Sequence, residues 1–224
     1  MRAAPVRIIL FPGLAADERM YAGLSPSAFE LVTPRLLVPE RNETMASYAR
    51  RHCELLSIEP GDVVGGCSFG SLLASAICRQ IPCRGLILLS GAVSSTQMVS
   101  QAKLLNQWGR YIPYFLVRPV LSHRVFMERV FGGGSEAELA LGRQMFLDAP
   151  ASLVREGGRL AVSYFPAEEL SVPVFALHGA LDRVIRPPML PGVELVADAG
   201  HGMVVSHPQR VAEFLEQCVV RLGR

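Results

Sequence analysis

The chain has 224 residues, of which 50% are apolar and 19% are charged, with a formal net charge of +2. This composition predicts one folded domain with a sizeable core and excludes an intrinsically disordered chain. The net charge is too small, and the basic residues are too scattered, for a nucleic-acid-binding surface.

The sequence also bears on cellular location and on cofactors. No apolar run approaches the roughly 18 residues of a membrane span, and the N-terminus lacks the long apolar stretch of a signal peptide. We therefore expect a cytoplasmic protein without stable membrane insertion. The five cysteines are odd in number and no pair is spaced as C-x-x-C, which argues against a disulfide framework and a zinc site. We expect reduced thiols, and neither a metal nor another cofactor.

Short runs rich in apolar and β-branched residues predict the strands. Each run is bounded by Gly, Pro or polar residues, and its near-continuous apolarity indicates burial on both faces, as in a parallel sheet. The runs are Val6–Phe11, Phe29–Val32, Asp62–Gly65, Gly85–Leu89, Val174–Leu177 and Val193–Val196.

Helical patterns alternate with these runs, first at Thr44–Ser57 and then at Phe69–Gln80. The clearest pattern comes last, with apolar residues at helical spacing: Val211, Phe214, Leu215, Cys218 and Val219. Ser206 and Gln209 predict a capping box at the start of this helix, with Pro208 in the first turn. Strands that alternate with helices predict an α/β fold with a mostly parallel sheet of about six strands, flanked by helices.

The stretch Thr96–Glu169 breaks this alternation. It has helical periodicity and no good strand candidate, with a capping box at Ser135 and Glu138 and a flexible joint at Gly132-Gly133-Gly134. We expect a helical cap inserted into an α/β core formed by residues 1–95 and 170–224. Its large apolar residues either bury the cap on the core or line a pocket, for which Trp108 and Tyr111 are candidates.

One pentapeptide carries a chemical signal, because Gly66-Cys67-Ser68-Phe69-Gly70 matches the pattern G-x-S-x-G. It follows the strand predicted at Asp62–Gly65 and precedes the helix predicted at Phe69–Gln80. A nucleophile elbow requires this strand–turn–helix setting, since the sharp turn presents the central serine above the sheet. We predict that Ser68 is a nucleophile; a serine in an ordinary turn is the alternative.

A serine hydroxyl needs a base within hydrogen-bond reach, and His201 is the leading candidate. It lies in Ala199-Gly200-His201-Gly202, just after the strand predicted at Val193–Val196. The flanking glycines allow a loop to bring the imidazole over the strand ends. The other histidines lie on a helix, in the insertion, at a strand end or at the start of the last helix: His52, His123, His178 and His207.

The acid that orients the base is expected on the loop after the strand Val174–Leu177. Asp182 lies there, where it could accept a hydrogen bond from the second imidazole nitrogen and fix the tautomer. Two alternatives stay open. Asp182 could instead be a surface residue paired with Arg183 or Arg186, or the acid could be Asp198, which lies only three residues before His201.

Acyl transfer also needs backbone N–H groups that hold the oxyanion. One is expected from Phe69, the residue after the nucleophile, and the other from the loop Phe11-Pro12-Gly13-Leu14, most directly from Leu14. A plain Pro-Gly turn would explain this loop equally well.

These motifs together resemble those of the α/β-hydrolase superfamily, in its esterase/lipase-like branch. The order serine, acid, histidine along the chain matches the order in that superfamily, and the resemblance spans about Val6 to Val220. It implies the same fold with about six strands. Larger members commonly have two further strands before the one that leads into the oxyanion loop, and we expect these two to be absent here. The stretch Thr96–Glu169 matches only in kind, as a cap. The motifs are Phe11-Pro12-Gly13-Leu14, Gly66–Gly70, His178–Val184 and Ala199-Gly200-His201.

Two departures from the family pattern stand out. The oxyanion loop usually carries His-Gly, and Pro12-Gly13 stands there instead. Asp182 and His201 are only 19 positions apart, with three prolines between them, so the helix common at this place should be reduced to a turn.

The resemblance implies a hydrolase that cleaves a small carboxylic ester with an apolar group through an acyl-enzyme intermediate. A thioesterase or another acyl transfer at the same site is an alternative, because the fold does not choose the reaction. A third possibility is a ligand-binding member of the fold that has lost catalysis, although a pure binder does not need a serine, an aspartate and a histidine.

Overall fold

The computed structural model describes residues 5–100, 103–104 and 114–223. Its described residues form one six-stranded sheet at the centre of the fold. Its order is β2-β1-β3-β4-β5-β6, and every neighbouring pair is parallel. The strands are β1 (Val6–Phe11), β2 (Phe29–Val32), β3 (Val63–Cys67), β4 (Gly85–Leu89), β5 (Val174–Gly179) and β6 (Glu194–Val196). The predicted parallel sheet of about six strands is confirmed.

Strands β3 and β5 are longer than their apolar runs. The pairing of β3 with β4 continues to Cys67, opposite Leu89, and the pairing of β5 with β6 continues to Gly179, opposite Val196. Hydrogen bonds to the neighbouring strands therefore extend β3 and β5 past the residues that the hydrophobic pattern predicts as strand, because buried backbone N–H and C=O groups need partners.

Side chains of β1 alternate between two cores, one on each face of the sheet. Ile9 and Phe11 belong to the core that includes α1 (Met45–Leu56) and α2 (Phe69–Cys78). Ile8 and Leu10 point into the opposite core. All four side chains are fully buried, each stabilising the fold by roughly 1.5–3 kcal/mol. This two-sided burial explains why the strand reads as continuously apolar.

The second core includes the last helix, α8 (Pro208–Leu222). Its predicted apolar stripe is buried apart from Val219, which is partly exposed. The predicted Ser206 capping box is wrong: the residue before α8 is His207, and no side chain caps the helix. Ser206 ends a short preceding helix, α7 (Met203–Ser206), and its hydroxyl contacts the His207 ring instead.

Within the predicted insertion between β4 and β5, the described residues from 114 onward form helices. They are α3 (Tyr114–Leu121), α4 (Arg124–Phe131), α5 (Glu136–Asp148) and α6 (Ala151–Ser163). The capping box of Ser135 and Glu138 at the start of α5 is confirmed. The boundaries of the cap stay a prediction. None of the helices in the described ranges is long and apolar enough to cross a membrane.

The connections of β1 create a crevice. Strand β1 lies between β2 and β3, so the chain leaves it first toward one edge of the sheet and later returns on its other side. Open α/β sheets bind ligands at such a switch point, outside the carboxyl ends of the strands. The loop after β1 and the turn after β3 therefore meet at one place.

The contact between these two segments leaves no room for a side chain on the turn. A Cβ at Gly66 would lie 2.6 Å from the carbonyl oxygen of Phe11, and one at Gly70 would lie 2.6 Å from that of Pro12. Both oxygens belong to the backbone and cannot rotate away. The close packing of strand, turn and helix thus depends on glycine at both positions.

We expect Gly70→Ala to lower the free energy of unfolding by about 3 kcal/mol or more, the upper end of overpacking costs. The matched control is Gly61→Ala, because no atom lies within 4 Å of a Cβ built there. Urea denaturation measures both. Equal effects of the two substitutions would contradict the close approach seen here.

Candidate active site

Ser68 occupies the turn between β3 and α2. Its backbone has φ 53° and ψ −118°, a left-handed conformation that costs a serine free energy and persists only when the surroundings enforce it. The residue before it ends β3 and the residue after it begins α2. The structure therefore has the strained strand–turn–helix geometry that the sequence pattern predicts.

The three residues predicted as nucleophile, base and acid lie in hydrogen-bond contact. His201 Nε2 is 2.9 Å from Ser68 Oγ, and His201 Nδ1 is 2.8 Å from Asp182 Oδ2. With the proton on Nδ1, the imidazole donates to the carboxylate and its Nε2 can accept from the serine hydroxyl. Asp182 lies just after β5 and His201 on the loop after β6, so the parallel sheet brings both to the edge that carries Ser68. No helix separates these two residues, as the short spacing predicts.

The Asp182 carboxylate is fully buried and accepts several hydrogen bonds. Its Oδ1 accepts from the backbone N–H groups of Val184, at 2.8 Å, and Ile185, at 3.0 Å. Burial by itself would raise the pKa of Asp182. The charge interaction with His201, the hydrogen bonds from His178 and His201 and the bond from Ile185 outweigh burial and hold this pKa well below its ordinary value. Asp182 is therefore ionised despite its burial.

His178 is a site residue that the sequence did not single out. Its Nε2 lies 3.2 Å from Asp182 Oδ2 and 3.1 Å from the carbonyl oxygen of Ile185. The side chain is 1% exposed, and its Nδ1 has no partner among the described residues. His178 thus contacts both the Asp182 carboxylate and the backbone that follows it, and so holds this turn in place. In the sequence, the feature that could have pointed to His178 is its position four residues before Asp182, next to Gly179.

The rival residues lie elsewhere. The Asp198 side chain is 81% exposed and faces His207, at 3.4 Å, rather than His201. His52 is buried against Phe11, and burial lowers its pKa to about 4. His123 accepts a hydrogen bond at the start of α4. Asp182 is likewise not the surface partner of Arg183 or Arg186.

Leu14 and Phe69, the predicted oxyanion-hole residues, border the same cavity as Ser68. A Cβ at Gly13 would lie 3.6 Å from the Ser68 Cβ, so the loop after β1 runs alongside the serine. Phe69 is the first residue of α2, where an N–H has no acceptor one turn earlier. The Leu14 N–H donates to no acceptor in the described part of the chain. Both donors are available, and their use by an oxyanion stays a prediction.

The cavity beside Ser68 has a volume of about 370 Å³, within the range of small-molecule sites. Its walls combine the loop after β1 with apolar side chains of the helices between β4 and β5. Those side chains include Met127, Val130, Phe131, Met145 and Phe146. Trp108 and Tyr111, the predicted pocket residues, lie outside the described residues.

Comparisons with known proteins agree with this architecture. An esterase from Thermogutta terrifontis superimposes with a TM-score of 0.76 at 21% identity, covering 98% of this chain and 91% of its own. An esterase from Exiguobacterium antarcticum gives a TM-score of 0.75 at 15% identity, with coverages of 96% and 92%. The epoxide hydrolase CorEH gives 0.70 at 14% identity, with coverages of 98% and 93%. At such identities these likenesses show the fold.

Sequence comparison identifies the family. A search of curated proteins returns no match, whereas the model of the alpha/beta hydrolase family matches residues 8–214. That match includes both segments that form the crevice and all three residues of the hydrogen-bonded chain. The protein therefore belongs to the alpha/beta hydrolase family.

Proposed function

We propose that the protein is a serine hydrolase that cleaves a carboxylic ester through an acyl-enzyme intermediate. The continuous hydrogen-bonded chain from Ser68 Oγ through His201 to Asp182, at 2.9 and 2.8 Å, supports this most directly. A serine that stands in a strained turn, beside a base and a buried carboxylate, is the arrangement that nucleophilic acyl transfer requires.

In the proposed first half-reaction, Ser68 Oγ attacks the ester carbonyl carbon while its proton passes to His201 Nε2. The tetrahedral intermediate carries a negative oxygen, held by the N–H groups of Leu14 and Phe69. When the C–O bond to the alcohol breaks, the imidazolium returns the proton to the departing oxygen. In the second half-reaction, water attacks the acyl-enzyme with the same base, and the carboxylic acid leaves.

Asp182 would act without taking up a proton. Its carboxylate fixes the His201 tautomer and stabilises the imidazolium formed at each step. The low pKa of Asp182, set by His201, His178 and the backbone N–H of Ile185 against the effect of burial, keeps the negative charge in place during this cycle. His178 would be a positioning residue, since it touches the acid and not the substrate.

The helices α3–α6 would form the cap of this enzyme. Those that line the cavity contribute its apolar wall above Ser68, where the acyl or alcohol group of an ester would lie. Esterases among the structural neighbours support the choice of ester. The fold also occurs in an epoxide hydrolase, so the fold alone does not set the reaction. Comparing the kcat/KM values for p-nitrophenyl esters and acyl-CoA thioesters separates ester from thioester chemistry.

Ser68→Ala should abolish turnover of p-nitrophenyl butyrate, with a loss in kcat on the order of a millionfold by analogy with serine proteases. A fluorophosphonate probe should label the wild-type protein and leave the variant unlabelled. An unchanged melting temperature is the control that the fold survives. A purified variant that keeps a substantial fraction of kcat would exclude Ser68 as the nucleophile.

Asp182→Asn should lower kcat by roughly 10⁴-fold, the scale seen when a triad aspartate is neutralised. The matched control is Asp198→Asn, because this exposed carboxylate contacts His207 and not His201. The control should retain nearly full kcat. If the two variants rank the other way, the acid has been assigned to the wrong residue.

Cys67 adjoins the serine but is a poor candidate nucleophile. Its side chain is only 3% exposed, and burial, with a smaller effect of the Asp182 charge, raises the pKa of its thiol far above the ordinary value. The thiolate is the reactive form of cysteine, so this thiol is held in its unreactive state.

Cys67→Ala should therefore retain most of the wild-type kcat/KM, and iodoacetamide at neutral pH should not inactivate the wild-type protein. Mass spectrometry of the treated protein identifies which cysteines react, with Cys53, the most exposed of the five, as the internal comparison. A loss of activity as large as that of Ser68→Ala would point to the thiol instead.

A further inference from the structure

Among the described residues, the charged side chains that border the catalytic cavity are all arginines. Arg129, Arg155 and Arg183 line it, whereas no Asp or Glu does so among the described residues. The whole chain has a formal net charge of only +2, so a mouth with positive charges alone is not a consequence of a basic composition.

The three arginines come from separate parts of the fold. Arg129 lies in the last turn of α4, Arg155 lies on α6, and Arg183 follows Asp182 directly. All three residues are exposed, which places their charges at the mouth of the cavity rather than in its apolar interior. Positive charge at the opening thus comes both from the helices between β4 and β5 and from the loop after β5.

Among the described arginines, Arg129 and Arg183 differ from most others because no ion-pair or hydrogen-bond partner of their side chains lies within the described residues. Neither makes an ion pair or a side-chain hydrogen bond to a residue within the described ranges. By contrast, several arginines elsewhere are paired with carboxylates, such as Arg7 with Asp62 at 3.0 Å and Arg159 with Glu156 at 2.8 Å. Two guanidinium groups at the entrance therefore have their donors free for a ligand.

A guanidinium keeps its charge at every relevant pH, and its planar fork matches the oxygens of a carboxylate or a phosphate. A cleft lined by one sign of charge, with low-dielectric walls, also raises the local concentration of oppositely charged ligands. An apolar interior with a cationic rim fits a molecule that has an apolar part and an anionic end.

We propose that the substrate is an anionic ester or thioester, whose carboxylate or phosphate group binds Arg129 and Arg183 while its apolar part fills the cavity. This inference rests on the proposed function, since it names the substrate class of the same site. Arg155 contributes a third positive charge to the rim. The anion belongs either to the acyl group or to the leaving group, and the experiment distinguishes the two.

Two matched substrate pairs test the proposal. Mono-p-nitrophenyl glutarate and p-nitrophenyl valerate differ in a terminal carboxylate on the acyl side. S-Butyryl-4′-phosphopantetheine and S-butyrylpantetheine share the thioester and differ in the phosphate of the leaving group. In one of the two pairs, the wild-type kcat/KM should be higher for the anionic member, and the ratio should fall as salt is added.

Arg129→Gln and Arg183→Gln should each lower that ratio by about fivefold to tenfold, as expected for loss of a partly exposed charge-assisted contact. Lysine at either position should restore part of it. Arg50→Gln is the matched control, because it removes an exposed charge from α1, away from the cavity, and should leave the ratio unchanged. Ratios that stay the same in all variants, or neutral substrates preferred in both pairs, would overturn the proposal.

A binding measurement separates failure of this inference from failure of the proposed function. Calorimetric titration of Ser68→Ala with monomethyl glutarate and 4′-phosphopantetheine, against methyl valerate and pantetheine, requires no turnover. Tighter binding of one anion, lost in the arginine variants, supports the anion site even if no ester is cleaved. Normal ester hydrolysis and fluorophosphonate labelling without any preference for anions would refute the anion site alone.

Discussion

The hydrogen bond between the Asp182 carboxylate and His201 Nδ1 connects the loops after β5 and β6, and the geometry around Ser68 depends on it. An ionised carboxylate that is completely buried would cost several kcal/mol if it lacked partners. Two backbone N–H groups and two imidazoles surround this one. The same contacts that compensate its burial also fix the His201 ring that faces Ser68, so the stability of this region and the orientation of the ring have one physical origin.

A second constraint is the close approach of backbone segments at the switch point of the sheet. Ser68 keeps its strained conformation because β3, the turn and α2 pack against the loop after β1, with glycine at 66 and 70. This packing brings Leu14 and Phe69 to the border of the same cavity as Ser68. The proposed oxyanion site is therefore a consequence of how a parallel sheet changes winding direction.

The helices between β4 and β5, together with the loop after β5, give the cavity an apolar interior and a charged rim. Apolar side chains such as Met127 and Phe146 form the interior, and Arg129 and Arg183 stand at the exposed rim. An apolar interior favours burial of hydrocarbon, whereas charge is stable only where water or an ionic partner reaches it. Reactivity would reside in the core and selectivity in the contacts between core and cap.

The sequence by itself predicted the six strands, the order of the elements and the candidate residues Ser68, Asp182 and His201, because two-sided burial and a nucleophile turn leave local patterns. Tertiary structure alone decided what depends on distant contacts. It placed His178 against Asp182, assigned Asp198 to the surface, and brought Arg129 and Arg183 to one opening. It also replaced the expected Ser206 cap, since a separate helical turn engages that hydroxyl. A side chain's partner across the fold leaves no periodic signal along the chain, so these assignments required the packed molecule.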